Sequence, residues 1–173
     1  MTYLGLDCST TVCGWTVLND DTSFDSVGYL DFKKFEDLYD KADYFVEFLR
    51  DLTQKKNITK VFIESPAMVY STSTAQIISL LQRFSGIISY SIWNTTGIKP
   101  VLISSHESRK ACGIKVPRGC DTKQFIWENI KARNVIPEEL WIFKKTGRPK
   151  DFCYDMADSY VVALGGISIY GNK

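Results

Sequence analysis

A chain of 173 residues, 45% hydrophobic and 24% charged, is long enough to bury a core without staples, which excludes a disordered chain and points to one domain over 1–173. The formal net charge of +1 selects no partner, but from Lys99 to Lys150 twelve Lys/Arg face five Asp/Glu, a local +7 against −6 for the rest. A basic face on an otherwise acidic protein is the footprint of a polyanion binder. The chain opens on the apolar run Tyr3-Leu4-Gly5-Leu6-Asp7, turns through small polar residues and returns as Val12 to Leu18. This is a hairpin pattern, and it hangs Asp7 on a strand end, where packing on both sides holds a functional group stiffly.

A third strand is expected at Val27–Phe32, completing an antiparallel meander. From Glu36 to Lys56 the apolar residues Leu38, Ala42, Phe45, Leu49 and Leu52 recur at spacings of three and four, the period of an amphipathic helix. Val61-Phe62-Ile63-Glu64 reads as a buried strand closed by Pro66, again with a carboxylate at its end. A polar loop containing Tyr70 leads into a helix over Ala75–Trp93 whose apolar residues run nearly all the way round, so it must be covered on more than one side. Lys99–Ile103 is the fifth strand, and Ser104 with Glu107 makes a capping box for a helix over Ser105–Gly113. A basic loop with Lys115 and Arg118 follows, then Asp121 caps a helix from Thr122 to Asn134. The final helix, Phe152–Ile169, carries Asp155 and Asp158 at i and i+3, on one face.

The five cysteines (Cys8, Cys13, Cys112, Cys120, Cys153) are odd in number and show no Cys-x-x-Cys pair, so they read as reduced thiols of a cytoplasmic protein. Neither a signal peptide nor a membrane span is expected, because the apolar stretch Ile77 to Trp93 is interrupted by Gln82, Arg83 and serines.

Four acids stand out: Asp7 and Glu64 at strand ends, Asp155 and Asp158 on one helical face. Laying that helix on the sheet would crowd all four, and like charges so close are tolerated only when cations neutralise them. Hard oxygen donors select Mg²⁺, with Mn²⁺ as a substitute. Two such ions about 3.5–4 Å apart are the device for in-line phosphodiester hydrolysis. The candidate catalytic and metal-ligating residues are therefore Asp7, Glu64, Asp155 and Asp158.

The order strand-Asp, strand-Glu, then Asp-x-x-Asp in the final helix resembles the RuvC-type Holliday-junction resolvases of the ribonuclease H-like superfamily. The likeness spans the chain: Leu4-Gly5-Leu6-Asp7 with Gly14-Trp15, Phe62-Ile63-Glu64, Ser108-Arg109-Lys110-Ala111-Cys112-Gly113 before a basic loop and Lys123, and Asp155-Met156-Ala157-Asp158-Ser159 with Ala163-Leu164. It implies an α/β ribonuclease H-like fold, with a mixed five-stranded sheet of a three-strand meander plus parallel strands, flanked by helices. It also implies a homodimer that nicks four-way DNA junctions symmetrically with two Mg²⁺ ions per site, in recombination and repair. The long Ala75–Trp93 helix would then form the dimer interface. DNA contacts are expected from Tyr70, Arg109, Lys110, Lys115, Arg118 and Lys123, with Lys110 and Lys123 matching positions that face the scissile phosphate. Tyr70 is the candidate wedge into the junction. Cys8-Ser9 replaces the Pro-Gly usual after the first aspartate. Lys33 and Lys34 lie outside the basic segment and are expected to contribute little to DNA binding.

Other readings share part of this pattern. An actin-like ATP-binding domain has a similar first hairpin but needs two such halves, and a silent nucleic-acid-binding module has no use for the acid quartet. A hybrid-cleaving ribonuclease H or a transposase-like enzyme would share the acids and differ in substrate.

Overall fold

The structure is a computed structural model, and it describes residues 1–66 and 74–171. Among these the elements follow as β1 (Thr2–Cys8), β2 (Val12–Asn19), β3 (Phe24–Asp31), α1 (Leu38–Lys55), β4 (Ile58–Glu64), α2 (Ala75–Thr96), β5 (Val101–Ile103), α3 (Ser105–Ala111), α4 (Thr122–Ala132) and α5 (Asp151–Tyr170). The sheet has the order β3-β2-β1-β4-β5. The meander β1-β2-β3 is antiparallel, while β4 joins β1, and β5 joins β4, in parallel. Five strands of mixed direction with flanking helices is the expected fold class.

Side-chain alternation along the strands divides the core in two. Leu4 and Leu6 of β1 and Val61 and Ile63 of β4 pack with Phe45 and Leu49 of α1 and Phe84, Ile88 and Ile92 of α2. The alternate residues face α5, where Tyr3 and Phe62 meet Val162. Asp7 continues the Tyr3, Gly5 series and Glu64 the Phe62 series, so both carboxylates emerge on the α5 side.

Several boundaries differ from the sequence expectation. Strand β4 begins at Ile58, because Thr2 and Ile58 already pair in the parallel ladder. Helix α3 stops at Ala111, two residues before Gly113, whose φ of +68° is left-handed and cannot continue a helix. Beyond a short 3-10 turn at Glu138–Leu140, the irregular segment closes into a tight hairpin with a bridge between Phe143 and Pro149. Within the single chain, helix α2 buries Phe84, Ile88 and Ile92, whereas Ile77, Leu80, Tyr90 and Trp93 are exposed.

The cysteine reading is corrected for two residues. Cys8 and Cys13 are register partners across the β1–β2 hairpin, with Cα atoms 4.1 Å apart, and are joined as a disulfide. Register rather than a spacing motif brings them together, which is why counting spacings missed it. Cys112, Cys120 and Cys153 are free thiols. No helix among the described residues is long and apolar enough to cross a membrane.

Candidate active site

Asp7, Glu64, Asp155 and Asp158 line one cleft of about 720 Å³ at the carboxyl end of β1 and β4. Asp7 sits opposite Gly14 in the β1–β2 register, and Glu64 lies one step beyond the Leu6–Ile63 pair in the parallel ladder. Neighbouring strand ends thus deliver two carboxylates side by side.

The other pair depends on how closely α5 approaches the sheet. A Cβ on Gly5 would lie 2.5 Å from the backbone nitrogen of Ala163 and from the Ser159 carbonyl oxygen, and one on Gly14 would overlap the backbone of Asp155. Only the absence of side chains there allows α5 to rest directly on β1 and β2. A buried hydrogen bond of 2.8 Å between the hydroxyls of Thr16 and Ser159 ties the same surfaces together. Asp155 and Asp158 then face Asp7 and Glu64 because they are three residues apart on the buried side of α5.

The electrostatics reflect this crowding. Burial, and then repulsion by Glu64, Asp158 and Asp155, hold the Asp7 carboxyl well above the usual range, with Lys123 acting in the opposite sense. Burial and Asp158 push Glu64 up to about 7 despite Arg109 and Lys123. Asp158, only 5% exposed, is raised by burial to about 6, again against Lys123 and Arg109. Asp155 is also raised by burial, although Lys123 donates a 2.8 Å hydrogen bond to its Oδ1. For Lys123 itself the loss of hydration is outweighed by Asp155, Asp7 and Asp158, which raise its pKa and keep it charged.

Among the described residues no three acidic, His or Cys groups stand close enough together to hold an ion, and Asp155 is engaged by Lys123. The donor chemistry nevertheless fits a hard dication. Four carboxylates converge on one cleft, and all four have raised pKa values, first through burial and then through neighbouring carboxylates, despite the opposing charge of Lys123.

The other candidates divide. Arg109 and Lys123 line the acid cleft. Lys110 does not; it lines an adjoining cavity of about 520 Å³ with Lys115 and His106, and Arg109 borders both. The spacing on α3 explains the difference, since Ser105 and Arg109, one turn apart, face the acids while Lys110 is rotated away. Arg118 is exposed in the basic loop, and Tyr70 lies outside the described residues. Sequence reasoning missed Lys33, which lies outside the basic segment and yet lines the acid cleft. A signal for it existed: in a meander the end of β3 returns to the same edge as the end of β1, and Asp31 pairs with Val12 there.

No protein-family model matches the sequence, and no curated protein matches it. Solved structures do. RuvC of T. thermophilus in complex with a Holliday junction substrate aligns with a TM-score of 0.68 at 13% identity, over 99% of this chain and 95% of that one. Another structure of Thermus thermophilus RuvC gives 0.66 at 12% identity, covering 99% and 96%. The yeast mitochondrial Holliday junction resolvase Ydc2 gives 0.62 at 18% identity, covering 96% of this chain and 77% of that one. At such identities the likeness establishes a shared fold, and the chain has the fold of the RuvC-type resolvases.

Proposed function

We propose that this chain, built on the RuvC-type fold, is a structure-selective DNA endonuclease that resolves four-way junctions by metal-dependent phosphodiester hydrolysis in recombination and repair. The observation that carries the reading is the convergence of Asp7, Glu64, Asp155 and Asp158 in one cleft bordered by Arg109 and Lys123. The solved relatives add support, since one of them is a complex with a Holliday junction substrate.

In this reading the four carboxylates hold two Mg²⁺ ions, with Mn²⁺ as a substitute. The ions, when bound, supply an activated water and stabilise the leaving oxygen. The chain itself does the positioning. Asp7 and Glu64 are carried on paired strands and Asp158 on the packed α5, so the backbone positions of these ligands are fixed and side-chain movement would close them on the ions. Arg109 and Lys123 receive the charge of the scissile phosphate, and Lys123 must release Asp155 for that carboxylate to ligate. Lys110, Lys115 and Arg118 contact backbone phosphates farther out, and Tyr70 is the candidate wedge. The domain comprises residues 1–173, and the working compartment proposed is the cytoplasm.

The enzyme acts as a homodimer in the same reading, because two coordinated nicks on a symmetric junction need two sites related by a two-fold axis. The exposed residues Ile77 and Leu80 near the start of α2 and Tyr90 and Trp93 near its end supply apolar surface for it. Trp93→Asp should yield monomers in sedimentation, and a wild type monomeric at micromolar concentration would remove the idea. Ile88 is a poor probe, being fully buried within the protomer.

The function is tested by offering purified protein with Mg²⁺ a synthetic four-way junction, a flap, a duplex and an RNA–DNA hybrid of matched sequence. Paired symmetric nicks in the junction are expected. Preferential cutting of the hybrid would transfer the site to a ribonuclease H activity.

A further inference from the structure

On another side of the acid cleft lies a third cavity of about 410 Å³, into which Lys33, Lys144 and Lys150 converge from two separate parts of the chain. It shares Val12, Lys33 and Asp151 with the cleft, so the two form one continuous depression. Its apolar side is the stack of Tyr29 on Phe152, with ring centroids 3.8 Å apart and planes at 9°.

The lysines are carried on stiff backbone. Lys33 follows Phe32, which is fully buried and whose N–H donates to the Thr11 carbonyl. Lys144 and Lys150 stand on opposite arms of the hairpin closed by the Phe143–Pro149 bridge, where the Lys144 N–H donates to the Arg148 carbonyl at 2.7 Å. The acids of this cavity already have partners. Asp151 accepts from the Lys144 ammonium at 2.7 Å, and Asp31 accepts the backbone N–H of Lys33 at 2.9 Å. Neither Lys33 nor Lys150 takes part in an ion pair among the described residues.

The Lys150 ammonium lies 6.0 Å from the centroid of the Phe152 ring. These two ammonium groups outside any ion pair border a depression continuous with the proposed phosphodiester site. They so offer positive charge to a neighbouring phosphate of the same strand, since each nucleotide carries one. Lysine suits this role as a point charge that needs no fixed hydrogen-bond geometry.

We propose that Lys33 and Lys150 form a second phosphate subsite, which takes the backbone phosphate adjacent to the cut one and so sets the direction in which the strand leaves the acid cleft. This rests on the nuclease reading above and adds to it a strand path along the β3 edge, opposite the basic loop. Lys144 belongs to the subsite as the group that neutralises Asp151.

The test is a salt titration of metal-free binding to a labelled four-way junction, with cleavage of the same junction in Mg²⁺ measured alongside. Lys33→Ala combined with Lys150→Ala should lower the slope of log affinity against log salt by about two units and weaken binding at least tenfold at 0.15 M salt. Lys33→Glu alone should weaken it further. Both lysines are exposed, so folding is preserved, and a melting curve checks this. Lys55→Ala, on α1 and paired with Asp51, is the unchanged control. A wild-type slope in the double variant overturns the subsite, whatever the junction assay gives. A wild type that binds junctions but cuts no DNA sinks the nuclease reading alone, and the same slopes still decide the subsite. Absence of DNA binding by the wild type overturns both.

Discussion

Lys123 reaches from α4 to Asp155 on α5 with 2.8 Å between Nζ and Oδ1, and its charge lowers the pKa of all four acids in the cleft. A single side chain therefore balances much of the repulsion that the fold creates. The pair is partly exposed, with Lys123 at 58%, so its direct contribution to stability is small and its effect is on protonation.

Lys123→Gln should accordingly raise the pKa of every acid in the cluster. With Mg²⁺ held below saturation, the acid limb of the cleavage pH profile is expected to move to higher pH by roughly one unit, while Lys123→Arg keeps it in place. Superimposable limbs for wild type and Lys123→Gln would show that the charge does not act on the acids.

Raised carboxyl pKa values also set the pH dependence of stability. Glu64 moves from an ordinary value of 4.5 to about 7 and Asp158 from 3.8 to about 6, so the native state binds more protons than the unfolded chain between those limits. Stability from these groups is complete below the unfolded values and is lost as pH rises through the native ones. The Tm of metal-free protein in EDTA should fall between pH 5 and 8. Mg²⁺ should raise Tm more at pH 8 than at pH 5.5, and Glu64→Gln should flatten both trends. A metal-free Tm that climbs over this interval in wild type, with no difference from Glu64→Gln, would contradict the assignment.

Gly14 is where the hairpin makes room for the end of α5 that carries Asp155. A methyl added there collides with the backbone of Asp155, so Gly14→Ala should displace the helix, cost about 1–3 kcal/mol, and reduce cleavage more than tenfold. Gly86→Ala on α2, whose Cβ meets nothing within 4 Å, is the comparison and should be neutral or slightly stabilising. Equal denaturant midpoints and activities for the two variants would mean that α5 has more freedom than the packing implies.

The basic loop is expected to contribute phosphate contacts of its own. Lys115→Ala with Arg118→Ala should lower the salt slope of junction binding by about two units without moving the cut positions. Lys55 replaces Lys33 as the reference site, because Lys33 lines the acid cleft. Shifted cut positions would mean that the loop reads the junction's shape instead of simply holding its backbone.

Much of this protein was determined by its sequence alone. The period of two in Tyr3–Asp7 and Val61–Glu64 and the i, i+3 spacing of Asp155 and Asp158 are local patterns, and local backbone geometry is enough to place each acid at the end or on the face of its element. The Ser104–Glu107 capping box and the Asp121 cap formed as read, since both are satisfied within a few residues. The tertiary structure alone decided what depends on register and approach. It paired Cys8 with Cys13, brought Lys33 to the acid cleft, turned Lys110 into the next cavity, and folded Lys144 and Lys150 into a hairpin against β3. Each of these outcomes depends on which strands neighbour which and how near α5 lies to the sheet. Gly5 and Gly14 set that distance by having no side chain, and its consequence emerges only when sheet and helix are packed together.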